Sequence, residues 1–536
     1  MAQKLSRRHF FIGGLLAGTV PDGGYGAVPS LKALGYKSPN ERLNVAAIGA
    51  GGRPALVLTQ CESQNIVALA DVDWERGAEG FAYWSKAARY KDYRVMLEKS
   101  GKDIDAVVVG TPDHTHATCA LACMQAGKHV YVEKPLTRTA WESRFLQKAA
   151  GHFGVATQMG NQGYSHDATR VACEILWSGE IGDVTEVHAW MRPAIWPQGM
   201  RSIPAPSTVP ESLDWDLWLG GAADRPFTAG DDDYRSFAAA RTERIGRLRI
   251  PPRLAAAQRQ RAADRDDGPA RPRGGGFDPS RYGFYLPFNW RGFHDFGSGL
   301  IGDWGIHILG PANWALQLGP ESLLSVECVK KDSAPPFTFP DELTLRYDFA
   351  ARRNMPPVSV YWHNTKGDAY LPEGMTAEQA RKPDGEGPQV GPARRARRGG
   401  GLPQSPQSSG YNCIFVGSKG HLGTSGRGEG VGLLPGSRWA EYTLPTAYLS
   451  RAPGASTGSN TTAHVNDWIR AAKGGAPACS NFDLAAPFTE WLVLGAAAVH
   501  YEGKLLWDNE AGEFSNNKDA NRWVKPRFRK GWELRL

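Results

Sequence analysis

The sequence predicts an α/β domain built on a doubly wound parallel sheet, followed by an α+β domain whose sheet is mostly antiparallel. Three observations carry this. Over residues 43–158, short apolar strand patterns alternate with helical ones, the order that builds a parallel sheet from βαβ units. Each of those strand patterns runs into a glycine-rich or polar stretch, and in such sheets the carboxyl ends of the strands line one ligand crevice. Beyond residue 160, strand patterns dominate at 184–192, 323–330, 342–349, 358–363 and 413–417, which favours antiparallel pairing with helices on one face.

The elements follow in order. A strand at 43–48 enters Gly49-Ala50-Gly51-Gly52-Arg53-Pro54, and a helical pattern starts at Ala55. A second strand, 66–70, ends in Asp71-Val72-Asp73, and 74–88 reads as a helix. A third strand, 106–110, ends in Thr111-Pro112-Asp113-His114-Thr115-His116 before a helix at 117–126 that Gly127 terminates. Residues 128–132 deliver Glu133-Lys134-Pro135. A helix at 139–152 and a strand at 155–158 complete the first domain. In the second, helices are expected at 166–177, 299–318, 463–473 and 484–501.

At 536 residues the chain exceeds what one core serves. The expected division is a leader and linker at 1–40, the first domain at 41–160 and the second at 161–536. Two stretches, 238–276 and 376–409, are rich in Arg, Ala, Pro, Gly and Gln without periodicity and read as loosely folded insertions. Within them, residues 241–273 carry a net charge of +6 and residues 381–398 a net charge of +4, so the remainder of this +7 chain is slightly acidic. The charge is no argument for nucleic acid. Seven cysteines in no zinc-like spacing predict neither a metal site nor a disulfide framework. The start, Ser6-Arg7-Arg8-His9-Phe10-Phe11 and a short apolar run, resembles a twin-arginine export signal. Export to the periplasm, with the export machinery as a partner, is the corresponding expectation.

Gly49 and Gly51 match the first two positions of G-x-G-x-x-G, and Pro54 stands in the third. Strand, glycine turn and helix in this order suit a dinucleotide pyrophosphate, as in a Rossmann doubly wound parallel sheet. Asp71, 22 residues after Gly49, sits where a carboxylate accepts from a ribose 2′-hydroxyl, which favours NAD over NADP. A Glu-Lys pair at a strand exit, taken alone, reads as a surface ion pair. At the end of an interior strand beside that turn, Lys134 reads as an acid–base group or alkoxide stabiliser. Asp303 and His307 are four apart, so on a helix they share a face and the carboxylate can orient the imidazole as a general base. Glycines 297, 299, 302 and 305 would let substrate approach closely.

"IGAGGR", "ADVD", "TPDHTH", "VEKP", "MGNQ", "NWRG" and "GDWGIH", in this order, resemble the Gfo/Idh/MocA oxidoreductases. The resemblance implies that Lys134 sits beside nicotinamide and substrate and that Asp303 and His307 complete the site. The implied cofactor contacts are Gly49, Gly51, Gly52, Arg53, Asp71, Thr111, Pro112, His114, His116, Glu133, Lys134, Gln162, Trp290 and Arg291. The expected substrate contacts are Lys134, Asn161, His166, Arg192, His294, Asp303 and His307. The expected activity is NAD(P)-dependent hydride transfer on a sugar, polyol or glycoside, with NAD favoured over NADP. The alternative is a redox-neutral glycoside hydrolase that oxidises a ring hydroxyl transiently. Export implies tightly held NAD, and the second-domain sheet is the expected surface for a homo-oligomer.

Overall fold

The computed structural model describes residues 41–194, 196, 198–246, 283–367, 370–380, 388, 390, 410–452 and 460–536. The export-signal stretch lies outside the described residues, as does most of each expected insertion.

The first sheet comprises β1 (Asn44–Ile48), β2 (Asn65–Ala70), β3 (Ala88–Tyr90), β4 (Ala106–Val109), β5 (His129–Val132) and β6 (Thr157–Met159). All its pairings are parallel, in the order β3-β2-β1-β4-β5-β6. Between the strands run α1 (Arg53–Leu58), α2 (Trp74–Tyr83), α3 (Tyr93–Ser100), α4 (Asp113–Gln125) and α5 (Ala140–Phe153). Successive β1 side chains enter two different cores. Ala46 and Ile48 pack with Val107, Val109 and Val132, whereas Val45 and Ala47 pack with Val108 and Tyr131. Burial on both faces explains why these strands read as unbroken apolar runs. Start signals are equally local: Asp73, Asp92 and Thr139 cap α2, α3 and α5, the last as a capping box with Glu142.

Two helical expectations need correction. The helix expected over 74–88 ends at Tyr83, and Ala88 opens β3, a three-residue strand too short to show a period. The helix expected over 299–318 is broken into a π-turn, Ile301–Gly305, and two short pieces, Ile306–Ile308 and Gly310–Ala315. Wide turns of this kind recur at functional sites.

After α6 (Asp167–Trp177) the second sheet begins. It comprises β7 (Val184–Met191), β8 (Leu323–Lys331), β9 (Leu343–Phe349), β10 (Val358–Asn364), β11 (Cys413–Gly417), β12 (Gly420–Ser425), β13 (Gly430–Leu434), β14 (Leu505–Asp508) and β15 (Glu513–Phe514). Its order is β13-β12-β11-β7-β10-β9-β8-β14-β15, antiparallel except where β7 meets β10. Leu343, Leu345, Tyr347 and Phe349 alternate inward along β9, so one face is core and the other is open. A helix, α7 (Asp232–Gly246), runs into the first stretch expected to be loose. Its Arg241 is buried, paired with Asp341 and donating to the Ala194 carbonyl.

The last two helices tie the halves together. α8 (Asn460–Ala472) returns to the first sheet, where Val465, Trp468 and Ala472 cover Val45, Val108 and Tyr131. α9 (Phe482–Ala498) packs against α5 on one side and β8 and β9 on the other. All seven cysteines are free thiols. Among the described residues no helix is long and apolar enough to cross a membrane.

Candidate active site at the strand ends

A cavity of about 470 Å³ opens where the carboxyl ends of β1, β2, β4 and β5 meet the second domain. Gly49, Gly51, Gly52 and Arg53 line one part of it, with Asp71, Thr111 and Pro112. Asp71 holds the turn. Its carboxylate accepts from Ala50 N at 2.8 Å and from Asp73 N at 3.0 Å, and burial pushes its pKa up to about 6. Pro54 fits the third glycine position because two glycines make room. A Cβ on Gly49 or Gly110 would stand 2.8 Å and 2.6 Å from the proline ring. Gly51 lines the cavity, and a side chain there would collide with the Arg76 carbonyl of α2, so helix packing also requires glycine at this position.

Lys134 lies two residues beyond the end of β5, and its peptide bond to Pro135 is cis. Nζ donates to Asp303 Oδ1 at 2.5 Å and to the Asp303 carbonyl at 2.8 Å. Arg291 Nε reaches the same carboxylate oxygen at 3.1 Å, its guanidinium lying over the rings of Phe288 and Trp290. Burial would raise the Asp303 pKa, but the two cations outweigh it and hold the carboxyl below its usual range. Burial lowers the Lys134 pKa against the pull of Asp303. Next to Lys134, Glu133 pairs with Arg53 at 2.9 Å. His116 lines the cavity, but its ring nitrogens meet the Pro135 and Thr111 carbonyls at 2.9 and 2.8 Å, tying the β4 and β5 ends together.

The expected Asp303–His307 pair does not form. The π-turn between them breaks the four-residue helical spacing, and the Asp303 carboxylate faces Lys134 and Arg291 instead. His307 lines the cavity, buried, with Nδ1 lacking a hydrogen-bond partner. Burial and the nearby Lys134, Arg427 and Arg53 charges hold its imidazole far below the usual range, hence neutral.

Gln162, Arg192, Trp290 and Arg291 also line the cavity. Four expected contacts are not on the cavity wall. His114 is buried against Trp218 and Phe296, its Nε2 on the Trp218 carbonyl, with its pKa pushed down to about 3 by burial. His166 caps α6. His294 packs with Phe339, His500 and Trp523. Asn161 is not on the cavity wall but precedes Gln162, buried, with both side-chain amide atoms unpartnered. The glycines at 297, 299, 302 and 305 face Arg291, Phe339, Ser298 and Ile301, so they serve packing and not substrate approach.

Sequence reading missed Asp113 and Arg427. Asp113 lines the cavity, accepts from Ser298, and is pushed by burial to about 7. It sits inside the same strand-end motif as Thr111 and Pro112, which was the available signal. Arg427 reaches the cavity from the β12–β13 turn, for which the only sequence cue was an arginine between two glycines.

A parallel sheet with a glycine turn, a following acid and a buried lysine at its strand ends is the arrangement of a Rossmann-type doubly wound domain. Residues 43–161 match the Gfo/Idh/MocA family, described as "Oxidoreductase family, NAD-binding Rossmann fold". The chain is 30% identical over 175 residues to an inositol 2-dehydrogenase of Rhodococcus erythropolis, covering 31% of this chain and 49% of that one. It is 35% identical over 134 residues to inositol 2-dehydrogenase 1 of Saccharopolyspora erythraea, covering 24% and 39%. The chain thus spans half or less of the length of these curated relatives. A crystal structure of the WlbA dehydrogenase from Bordetella pertussis, in complex with NADH and UDP-GlcNAcA, shares the fold with a TM-score of 0.51, 13% identity, and coverage of 88% of this chain and 98% of that one.

Proposed function

We propose that this protein is an NAD-dependent oxidoreductase that moves hydride to or from a carbon bearing a hydroxyl on a sugar, polyol or glycoside. The observation that carries it is the Lys134–Asp303–Arg291 ion cluster at the strand-end crevice, facing the neutral His307. The residues present fit the cofactor. The glycine turn offers backbone at one wall, and Asp71 offers a carboxylate at the next strand end, an acceptor that suits a 2′-hydroxyl better than a 2′-phosphate. When bound, NAD supplies the hydride acceptor.

The chain's own residues then do three things. Lys134, fixed by Asp303, places a positive charge where an alkoxide develops. His307 is neutral and can take the hydroxyl proton, and the cations around it make the imidazolium release that proton readily. Trp196, Trp290 and Trp304 supply apolar walls that limit water.

The test has two readouts. Purified protein is titrated with NADH and NADPH, then incubated with NAD and a panel of sugars, polyols and aryl glycosides with product analysis. Selective NADH binding and about one NADH per oxidised product support the reading. Aglycone release with no net NADH would replace it by the redox-neutral hydrolase. Binding of neither dinucleotide rejects both.

We further propose export, which the Arg7-Arg8 stretch supports, and self-association through the open face of the second sheet. Leu324, Val329 and Leu506, on the adjoining strands β8 and β14, are exposed there and support the second proposal. Light scattering after size exclusion tests it, with a monomer as the refuting outcome.

A further inference from the structure

The positive charges facing the cavity exceed the acids that neutralise them. Glu133 pairs with Arg53, and Asp303 serves both Lys134 and Arg291. Arg427 has no equivalent. Among the described residues no carboxylate forms an ion pair with it, and its Nε is buried without an acceptor. Its guanidinium lies 5.4 Å from the Trp304 ring centre. Burial holds its pKa below the usual range, neighbouring Arg53 lowers it further, and Glu429, Glu133 and Asp303 offset this only in part.

The turn that carries Arg427 is fixed in place. Gly163 has no side chain, and a Cβ there would strike the Arg427 carbonyl oxygen. Gly426 N donates to Asn412 Oδ1 at 3.1 Å, and Gly428 N to the Ser425 carbonyl at 3.0 Å. Thr169 of α6 also reaches the Gly428 carbonyl, at 3.4 Å. A half-buried guanidinium on an anchored turn is costly while it lacks an anion. Its planar fork suits a carboxylate or phosphate, gripped by two parallel hydrogen bonds.

We propose that the substrate carries an acidic substituent, a carboxylate or a phosphate, which Arg427 binds while Lys134 and His307 handle a hydroxyl of the same molecule. This rests on the carbohydrate oxidoreductase reading and narrows it to sugar acids or sugar phosphates.

The test is calorimetric titration of the NADH-loaded protein, in wild type, R427Q and R427K, with neutral compounds and their acidic counterparts. The pairs are glucose against glucuronate and glucose 6-phosphate, galactose against galacturonate, and inositol against inositol 1-phosphate. The expected result is at least one acid bound about tenfold or more tighter than its neutral partner. That ratio should collapse to within about twofold in R427Q and recover in part in R427K. Which acid shows the preference separates carboxylate from phosphate. Equal affinities for neutral and acidic partners, or a ratio that survives R427Q, overturn the inference and leave the carbohydrate reading standing. Loss of NADH affinity in R427Q with the acid-to-neutral ratio intact assigns Arg427 to the cofactor and overturns it too. Binding of NADH but of no compound in any pair removes the carbohydrate reading and the inference with it.

Discussion

Lys134 shows how one side chain is given chemistry by what surrounds it. Held between Asp303 and the floor of a parallel sheet, it is a partly desolvated cation with a fixed direction. Lys134→Met removes that charge and leaves Arg291 on Asp303. We expect NADH affinity within a few-fold of wild type and turnover down by about 10²–10⁴-fold, and near-normal turnover in stopped-flow assays refutes the role. Asp113 makes a pH prediction. Burial raises its pKa in the folded protein to about 7, well above that of a solvated carboxyl. The folded state therefore holds a proton that the unfolded chain has lost. The stability this confers is complete below the unfolded pKa and disappears as pH rises through about 7. Asp113→Asn should flatten that loss, so the Tm of the variant minus that of wild type should rise from pH 5 to pH 8. A constant gap rules this out. Among the site residues, Lys134, Asp71 and the glycine turn were legible because a short motif carried each. His114 and His294 were misassigned because a histidine's place in the sequence says nothing about which way its ring faces. Asp303 kept its place in the site but changed partner, from His307 to Lys134.

At the scale of elements, the glycine turn and its proline depend on a strand far along the chain. Pro54 occupies space that Gly110, at the end of β4, leaves empty. Gly110→Ala should place a methyl against the proline ring, cost about 1–3 kcal/mol of stability, and weaken NADH binding. Differential scanning fluorimetry and titration check both, and an unchanged Tm contradicts the packing account. The strands of the first sheet were legible because both their faces are buried and their apolar runs are unbroken. β3 was not, because three residues give no period. The broken helix after Gly299 could not be anticipated, because glycines spaced through an apolar pattern look the same whether the turn is α or π.

For the whole molecule, the decisive feature is that α8 covers the first sheet from more than three hundred residues away. Trp468 is fully buried there, its ring 5.7 Å from that of Tyr131 on β5, the strand that leads to Lys134. Trp468→Ala should cost about 3–5 kcal/mol and lower NADH affinity, although the residue touches no part of the cavity. Chemical denaturation followed by both NADH fluorescence and far-ultraviolet dichroism tests this, and a loss below about 1 kcal/mol refutes it. An isolated fragment ending near residue 160 would expose Val45, Val108 and Tyr131 to water.

The sequence by itself determined the parallel sheet, the glycine turn, the acid after β2 and the lysine after β5, because each is a local pattern whose meaning needs only its neighbours in the chain. The tertiary structure decided which charges meet. Asp303 faces Lys134, Glu133 faces Arg53, and Arg427 forms no ion pair with an acid among the described residues, because the contacts join residues from 80 to 169 positions apart and the turn of a distant hairpin. Coulombic attraction acts through space, and only folding sets those distances.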